Sequence, residues 1–315
     1  MYKLGLKLWS VNTDNYYNQA LELFEKGLYD YIELYVVPNT SERLKKWKEL
    51  KIPYIIHCPH FAHGFNLAKK EKEKSNLQIF DEVKQFADAL NAKYIVVHGG
   101  IDGNVLETAR QFALLKEERA LIENKPYEAI PNRMGGKFCR GYSPEEIEII
   151  KDTAKCGFCL DFGHAVCSAN SIYNIAMYNS NENLPLQQGE KELWQIESIF
   201  KSVQKMNYSP LALCGKGTRG EGDENCPVSR LDFIYSFVKQ FLKFNPNMFH
   251  LTDNINMTSP YDSHLHLGLG ELDFQKIKAL LPNDAIITLE TDKNSKENID
   301  DFIPDCNFMR KLQNV

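Results

Sequence analysis

The sequence predicts an α/β protein, a (β/α)8 or TIM barrel with an insertion after the sixth strand. Short apolar runs alternate with helix-like segments along the whole chain, which is typical of a parallel sheet wrapped by helices. There are eight such runs in 315 residues, and a barrel of this kind usually needs about 250. We therefore expect one barrel domain over residues 1–315, with the surplus residues in an insertion.

The predicted elements follow in order along the chain. The expected strands are Lys3–Trp9, Tyr31–Val36, Tyr54–His57, Tyr94–His98, Ala120–Glu123, Gly157–Asp161, Met248–His250 and Ala285–Glu290. Apolar residues recur every three or four positions in the segments expected to be helical, which include Tyr16–Lys26, Leu77–Leu90, Val105–Leu115, Pro144–Ala154 and Ser229–Lys243.

The stretch between the sixth and seventh strands is far longer than a single crossover requires. It contains a polar loop over 179–189, a predicted helix over Lys191–Met206 and the glycine-rich "CGKGTRGEGD" that begins at Cys214. We predict an insertion over about residues 166–228 that covers the catalytic face, because long loops in compact domains are usually functional or mobile.

Composition limits the classes of partner and compartment. A net charge of −5 argues against broad, charge-driven binding of nucleic acid, although a local basic patch stays possible. The eight scattered cysteines do not form a disulfide framework, so reduced thiols in a cytoplasmic protein are expected. No stretch approaches the roughly 18 apolar residues of a membrane span, so we expect no membrane interaction. No protein partner is indicated.

Residues able to bind a metal end six consecutive predicted strands. They are His57, His98, Glu123, Asp161, His250 and Glu290, and the loop residues His164, Asp262 and His264 join them. In this fold the carboxyl ends of the strands carry the chemistry. Four carboxylates around one mouth would repel each other unless cations neutralised them, and nine groups suit two or three divalent ions better than one.

Two of these segments carry a family resemblance. "FCLDFGH" over 158–164, and Asp262-x-His264 followed by Gly268 and Gly270, resemble motifs of endonuclease IV, the family 2 apurinic (AP) endonucleases, within the xylose isomerase-like barrels. The resemblance implies a cluster of up to three Zn²⁺ ions. It would place one ion on His57 and His98, with Glu123 bridging to a second ion on Asp161, His250 and Glu290, and a third ion on His164, Asp262 and His264.

Other segments point to a different branch of the same superfamily. "YDYIELYV" over 29–36 and "HLGLGELDF" over 266–274 resemble sugar isomerases and epimerases, and the DNA-gripping loop of the endonucleases is absent. In such enzymes a single Mn²⁺ or other divalent ion polarises a sugar while two carboxylates move a proton. Glu123 and Glu290 would then be the catalytic pair, and His164 would contact the substrate.

The sequence therefore predicts a metal-dependent hydrolase of phosphate esters, with sugar (phosphate) isomerase or epimerase as the alternative and ligand binding without turnover ranked last. Glu123, Glu290 and His164 are the expected catalytic residues. Arg133, Lys137 and Arg140, in the loop after the fifth strand, and His60 are expected to contact the substrate. That substrate could be a small phosphorylated molecule, a sugar or a nucleic acid.

Overall fold

Eight parallel strands close into a barrel in the order of the sequence, which confirms the predicted TIM barrel. The structure, a computed structural model, describes residues 1–129, 138–181, 229–255 and 257–314. The strands are β1 Lys3–Trp9, β2 Tyr31–Tyr35, β3 Tyr54–His57, β4 Ile95–His98, β5 Ala120–Glu123, β6 Gly157–Asp161, β7 Met248–Leu251 and β8 Ile286–Leu289. Each lies within one or two residues of its predicted bounds.

The described helices pack around the barrel. They are α1 Tyr17–Glu25, α2 Leu44–Glu49, α3 Glu73–Ala89, α4 Val105–Leu114, α5 Pro144–Ala154, α6 Phe162–Asn181, α7 Arg230–Leu242, α8 Phe274–Lys278 and α9 Phe302–Asn314. The expected start of the insertion, at about residue 166, falls inside α6, which packs against β6, β7 and α7. Residues 166–181 are thus part of a barrel helix. The rest of the expected insertion, including the helix predicted over Lys191–Met206, lies outside the described residues.

Helix α5 shows how local sequence sets an element's bounds. Ser143 Oγ accepts from the backbone N–H of Glu146, and Pro144 occupies the first turn, where its missing N–H costs nothing. At the other end Lys155 adopts the left-handed conformation, φ 53°, and its N–H donates to the Lys151 carbonyl. These two signals explain why the predicted and observed bounds of this helix agree.

The barrel interior is built in two layers, because alternate residues of a strand point to the same face. The lower layer is apolar and contains Tyr31, Ile55, Val96, Leu121, Cys159 and Met248. Two residues further along each of those strands comes a polar side chain, and these are Glu33, His57, His98, Glu123, Asp161 and His250. The two-residue repeat of the strands therefore places a ring of polar side chains directly above the apolar layer.

A larger apolar core lies between the strands and the surrounding helices. It includes the fully buried Trp47, Phe86, Phe158, Phe237 and Phe302. This outer core fixes the strands, and so it fixes the ring of polar side chains that they carry. Within the described residues, no helix is long and apolar enough to cross a membrane.

Candidate metal centre

All nine residues predicted as metal ligands meet at the carboxyl-end mouth of the barrel. Five overlapping clusters have potential ligand atoms within 4.8 Å of one another, and three of them together contain all nine residues; these are His57 with His98 and Glu123, Asp161 with His250 and Glu290, and His164 with Asp262 and His264. We call them the first, second and third groups. This division is the one that the endonuclease resemblance implies.

Glu123 joins the first group to its neighbours. Its Oε2 lies 2.8 Å from His98 Nε2 and 3.2 Å from His57 Nε2, while its Oε1 lies 3.0 Å from His164 Nδ1. His98 and Glu123 are register partners on β4 and β5, so their side chains leave adjacent strands on the same face. Burial would raise the pKa of Glu123, but the positive charge of Lys125 and the hydrogen bonds from His164 and His57 outweigh it and hold that pKa well below its ordinary value.

The second group surrounds one nitrogen of His250. His250 Nδ1 lies 3.1 Å from Glu290 Oε1, 3.7 Å from Glu123 Oε2 and 3.9 Å from Asp161 Oδ2. Register pairing of Asp161 with His250 brings β6 and β7 together at this point. A carboxylate from each of three strands therefore faces a single imidazole nitrogen.

The third group lies at the ends of β6 and β8. Asp262 Oδ2 lies 3.0 Å from His264 Nε2 and 3.3 Å from His164 Nε2. His164 stands in the first turn of α6, whereas Asp262 and His264 belong to the loop that follows β7. Separate segments of the chain thus supply its ligands.

Three of the five ligand histidines are oriented through Nδ1. His57 Nδ1 lies 2.7 Å from the Cys58 carbonyl, and His164 Nδ1 lies 3.0 Å from the Asn124 carbonyl. His264 Nδ1 lies 2.7 Å from the Glu290 carbonyl. A carbonyl oxygen can only accept, so Nδ1 carries the hydrogen and Nε2 is left facing the cluster. Metal-binding histidines are oriented by such contacts.

The two carboxylate oxygens of Asp161, at the end of β6, have different surroundings. Its Oδ1 accepts from the backbone N–H of His164 at 2.7 Å and so caps the first turn of α6. Its Oδ2 is buried without a hydrogen-bond partner and faces His250 and His164. One oxygen therefore serves the helix, and the other is free to serve an ion.

Several further features fit a divalent cation. In addition to Asp161 Oδ2, three other atoms are buried without hydrogen-bond partners, namely His98 Nδ1, His250 Nδ1 and Asp262 Oδ2. Burial raises the pKa of Asp161 to about 6, and the charges of Asp262 and Glu123 act in the same direction. Buried carboxylates and imidazoles at this spacing form the mixed O and N ligand set of zinc and related ions. The donor set therefore fits a divalent metal centre.

Three charged residues of the site escaped the sequence prediction. Glu33, fully buried on β2, lies 2.9 Å from His250 Nε2 and forms a salt bridge of 2.5 Å with Lys7 on β1. Lys7 also contacts Glu290. The sequence did contain a signal for this pair, because Lys7 and Glu33 carry opposite charges in the middle of two apolar strands and a buried charge needs a partner.

The third residue, Lys125, enters the middle of the cluster. Its Nζ lies 3.1 Å from His164 Nε2, 3.3 Å from Glu123 Oε1 and 3.5 Å from His98 Nε2. The residue stands two positions after Glu123, just beyond the end of β5. Nothing in the spacing distinguished it from a lysine on a surface loop.

The structure describes two of the four residues predicted to contact the substrate. His60 lines the pocket above the cluster, where its Nδ1 accepts from the Ala62 N–H, so it is not merely a solvated loop residue. Arg140 is buried, donates to Glu146 at 2.7 Å and is not among the pocket-lining residues. Its guanidinium stabilises the loop before α5, so its position does not support a substrate contact. Arg133 and Lys137 lie outside the described residues.

The pocket itself has a volume of about 390 Å³ and contains ligand residues of the first and third groups and Glu290. One wall is aromatic, because Trp9 stacks on Tyr35 with ring centroids 4.7 Å apart. Trp9 remains 41 % exposed, so its ring is available to a ligand. The site can therefore present charged groups and a flat apolar surface to one small molecule.

The closed parallel barrel and the cluster of histidines and carboxylates at its carboxyl end define the class of protein. It is an α/β barrel with a candidate metal centre. The chain belongs to the xylose isomerase-like TIM barrel family, whose model matches residues 19–312. No curated protein matches the chain.

Similar solved structures come from both branches of this family. A D-tagatose 3-epimerase-like protein is 16% identical, with a TM-score of 0.62 and coverage of 99% of this chain and 97% of its own. Endonuclease IV from Thermus thermophilus is 18% identical, with a TM-score of 0.57 and 99% of both chains covered. A second protein of that organism, from a ZnCl2 soak, is 17% identical, with a TM-score of 0.56 and coverage of 98% and 97%. At these sequence identities, the similarity shows a shared fold only.

Proposed function

We propose that the protein is a metal-dependent hydrolase of phosphate esters with a multinuclear site. The observation that carries this proposal is the convergence of three ligand groups in one mouth, with Glu123 in contact with histidines of the first and third. A binding protein, or an enzyme that uses one ion, has no need of the first and third groups. Phosphate-ester hydrolysis is a common use of several ions held close together.

The chain's own residues would hold the ions. His57 and His98 would bind one ion, Asp161, His250 and Glu290 another, and Glu123 would bridge them. Zinc is our first choice of metal and manganese the second. When bound, such ions lower the pKa of water and stabilise the charge that develops on a phosphate. His164 and Glu290 lie beside the pocket, where they would orient the reacting groups.

The pocket favours a small phosphorylated substrate. Lys7 and Lys125 line it, and the Trp9–Tyr35 wall could stack on a sugar or base. A net charge of −5 gives a long polyanion little general attraction. If duplex DNA were the substrate instead, binding would weaken steeply with salt, because phosphate contacts release counterions.

The test combines metal content with activity. We expect at least two divalent ions per chain by elemental analysis, and metal-dependent release of phosphate from a panel of small phosphomonoesters and diesters. His57→Ala together with His98→Ala should lower turnover by at least about 100-fold, the scale on which such groups act. His63→Gln is the control, since this histidine contacts Tyr35 and lies outside the three groups. Undiminished turnover in the double variant would remove the first group from the mechanism.

Sugar isomerisation or epimerisation is the second candidate, and one observation favours it. The second group together with Glu123 already places three carboxylates within 3.9 Å of His250 Nδ1, which is enough for a single ion. Glu123 and Glu290 would then move the proton. A single ion per chain, with turnover of a free or phosphorylated sugar and no phosphate release, would establish this function over hydrolysis.

A further inference from the structure

We propose that the Lys125 ammonium takes the place of an ion between the first and third groups, so that the site binds two divalent ions and not three. The inference deepens the proposed function and rests on it for the presence of a multinuclear site. It specifies how many ions this chain accepts and which residue sets that number.

The position of Lys125 Nζ is that of a cation shared by two groups. Within 3.5 Å it meets His98 Nε2 of the first group, His164 Nε2 of the third and Glu123 Oε1 between them. An ammonium offers three N–H donors, and these atoms are the ones that would otherwise face an ion. The lysine thus uses the Nε2 electron pair of His164 that a third ion would need, whereas its contact with His98 is the longest of the three.

Lys125 is held in place by its own backbone. Its N–H donates to the Gly141 carbonyl at 3.1 Å, and its carbonyl accepts from Ser168 Oγ at 3.1 Å. The side chain is only 11% exposed, and its one salt-bridge partner among the described residues is Glu123. The Lys125 backbone is therefore fixed, and its ammonium is held at the wall of the pocket among the candidate ligand atoms.

Charge balance disfavours a third ion. Five carboxylates, Glu33, Glu123, Asp161, Asp262 and Glu290, surround the site together with the ammonium groups of Lys7 and Lys125. Two divalent ions would leave a single positive charge in excess, whereas three would leave three. A larger unbalanced charge in a buried site carries a larger desolvation cost. A chain without Lys125 would tolerate the third ion better.

The test is to count zinc ions after equilibrium dialysis, followed by elemental analysis. We expect Lys125→Met to bind one ion per chain more than the wild type, and the comparison cancels any ion held elsewhere. Lys125→Arg should match the wild type, because it keeps the charge. Lys293→Met is the matched control, since this lysine lines the same pocket but donates to the Thr291 carbonyl. Equal counts in the wild type and Lys125→Met would overturn the proposal.

A second measurement decides the question should Lys125→Met fail to fold. Anomalous diffraction from zinc-loaded wild-type crystals should show no ion between His98 and His164, and a peak at that place would overturn the proposal.

The proposed function and the proposed role of Lys125 can be contradicted independently of each other. A wild type that binds two ions but hydrolyses no phosphate ester contradicts only the hydrolase, whereas a third ion in an active hydrolase contradicts only the role of Lys125.

Discussion

Glu33 acts on the centre through His250. Its Oε2 lies 2.9 Å from His250 Nε2, and Thr288 Oγ1 donates to the same oxygen. A carboxylate behind a ligating imidazole fixes the ring and makes its other nitrogen a better ligand. Glu33→Gln should therefore weaken zinc binding by about 10–100-fold, as measured by competition with a chelating dye.

Glu22→Gln is the control for that variant, because Glu22 forms an exposed ion pair with Lys26 on α1. Its zinc affinity should equal that of the wild type. Should Glu33→Gln also bind zinc with wild-type affinity, Glu33 would have only a packing role in the barrel interior.

In the metal-free protein, the ionised carboxylate of Asp161 lowers the stability of the fold. A carboxyl whose pKa is raised to about 6 by folding favours the folded state only while protonated, so its ionisation opposes folding as the pH rises through that value. Asp161→Asn keeps an oxygen for the cap of α6 but removes the charge. The metal-free variant should be more stable than the wild type by on the order of 1–3 kcal/mol at pH 8.

That gain should shrink as the pH falls from about 6 to about 4, where the wild-type carboxyl is protonated in both states. Urea unfolding of chelator-treated protein across this range measures it. A stability difference that does not change with pH would show that the ionisation of Asp161 is not its cause.

At the scale of elements, the loop after β7 is organised by Asp253. Its two carboxylate oxygens accept backbone N–H groups from Asn254, Gly268, Gly270 and Leu272. The loop between these anchors carries Asp262 and His264, so Asp253 positions two of the three ligands of the third group. A carboxylate with several such contacts is costly to replace.

Asp253→Asn should lower the free energy of unfolding by about 2–4 kcal/mol, because an amide group would place N–H against N–H. Asp273→Asn is the matched control, since Asp273 only caps α8 through the N–H groups of Gln275 and Lys276. Equal losses of unfolding free energy in the two variants, measured by urea unfolding, would mean that the contacts of Asp253 do not organise the loop.

At the scale of the whole molecule, the centre should link metal binding to stability. Its ligands come from every strand from β3 to β8 or from the loops that follow them, and the unfolded chain does not bring them together. Zinc at 100 times its dissociation constant should add about 2.7 kcal/mol per site. That corresponds to a rise in Tm of several degrees, which scanning calorimetry can measure.

Removal of the ions with a chelator should reverse this rise, and Asp161→Asn should show less of it. A Tm that is independent of zinc would contradict a buried centre assembled by folding. The experiment does not depend on knowing the substrate.

Much of the molecule follows from the sequence alone. Eight apolar runs separated by amphipathic segments predicted the barrel, since a buried sheet and a half-buried helix leave different patterns of apolar residues. Six of the nine candidate ligands were recognisable because a charged or imidazole group at the end of a buried strand is unusual, and parallel strands deliver such groups to one edge. Local signals such as Ser143 and Pro144 placed the bounds of α5.

The tertiary structure decided which of these groups touch and what balances their charge. Lys7, Glu33 and Lys125 became part of the site only when the strands closed with Lys7 beside Glu33 and the Lys125 side chain reached between two histidines. Arg140, which the sequence placed with the substrate, was drawn to Glu146 instead. Sequence spacing determines which face of a strand a side chain occupies, but distances between strands depend on register and packing, and a charged group's partners depend on those distances.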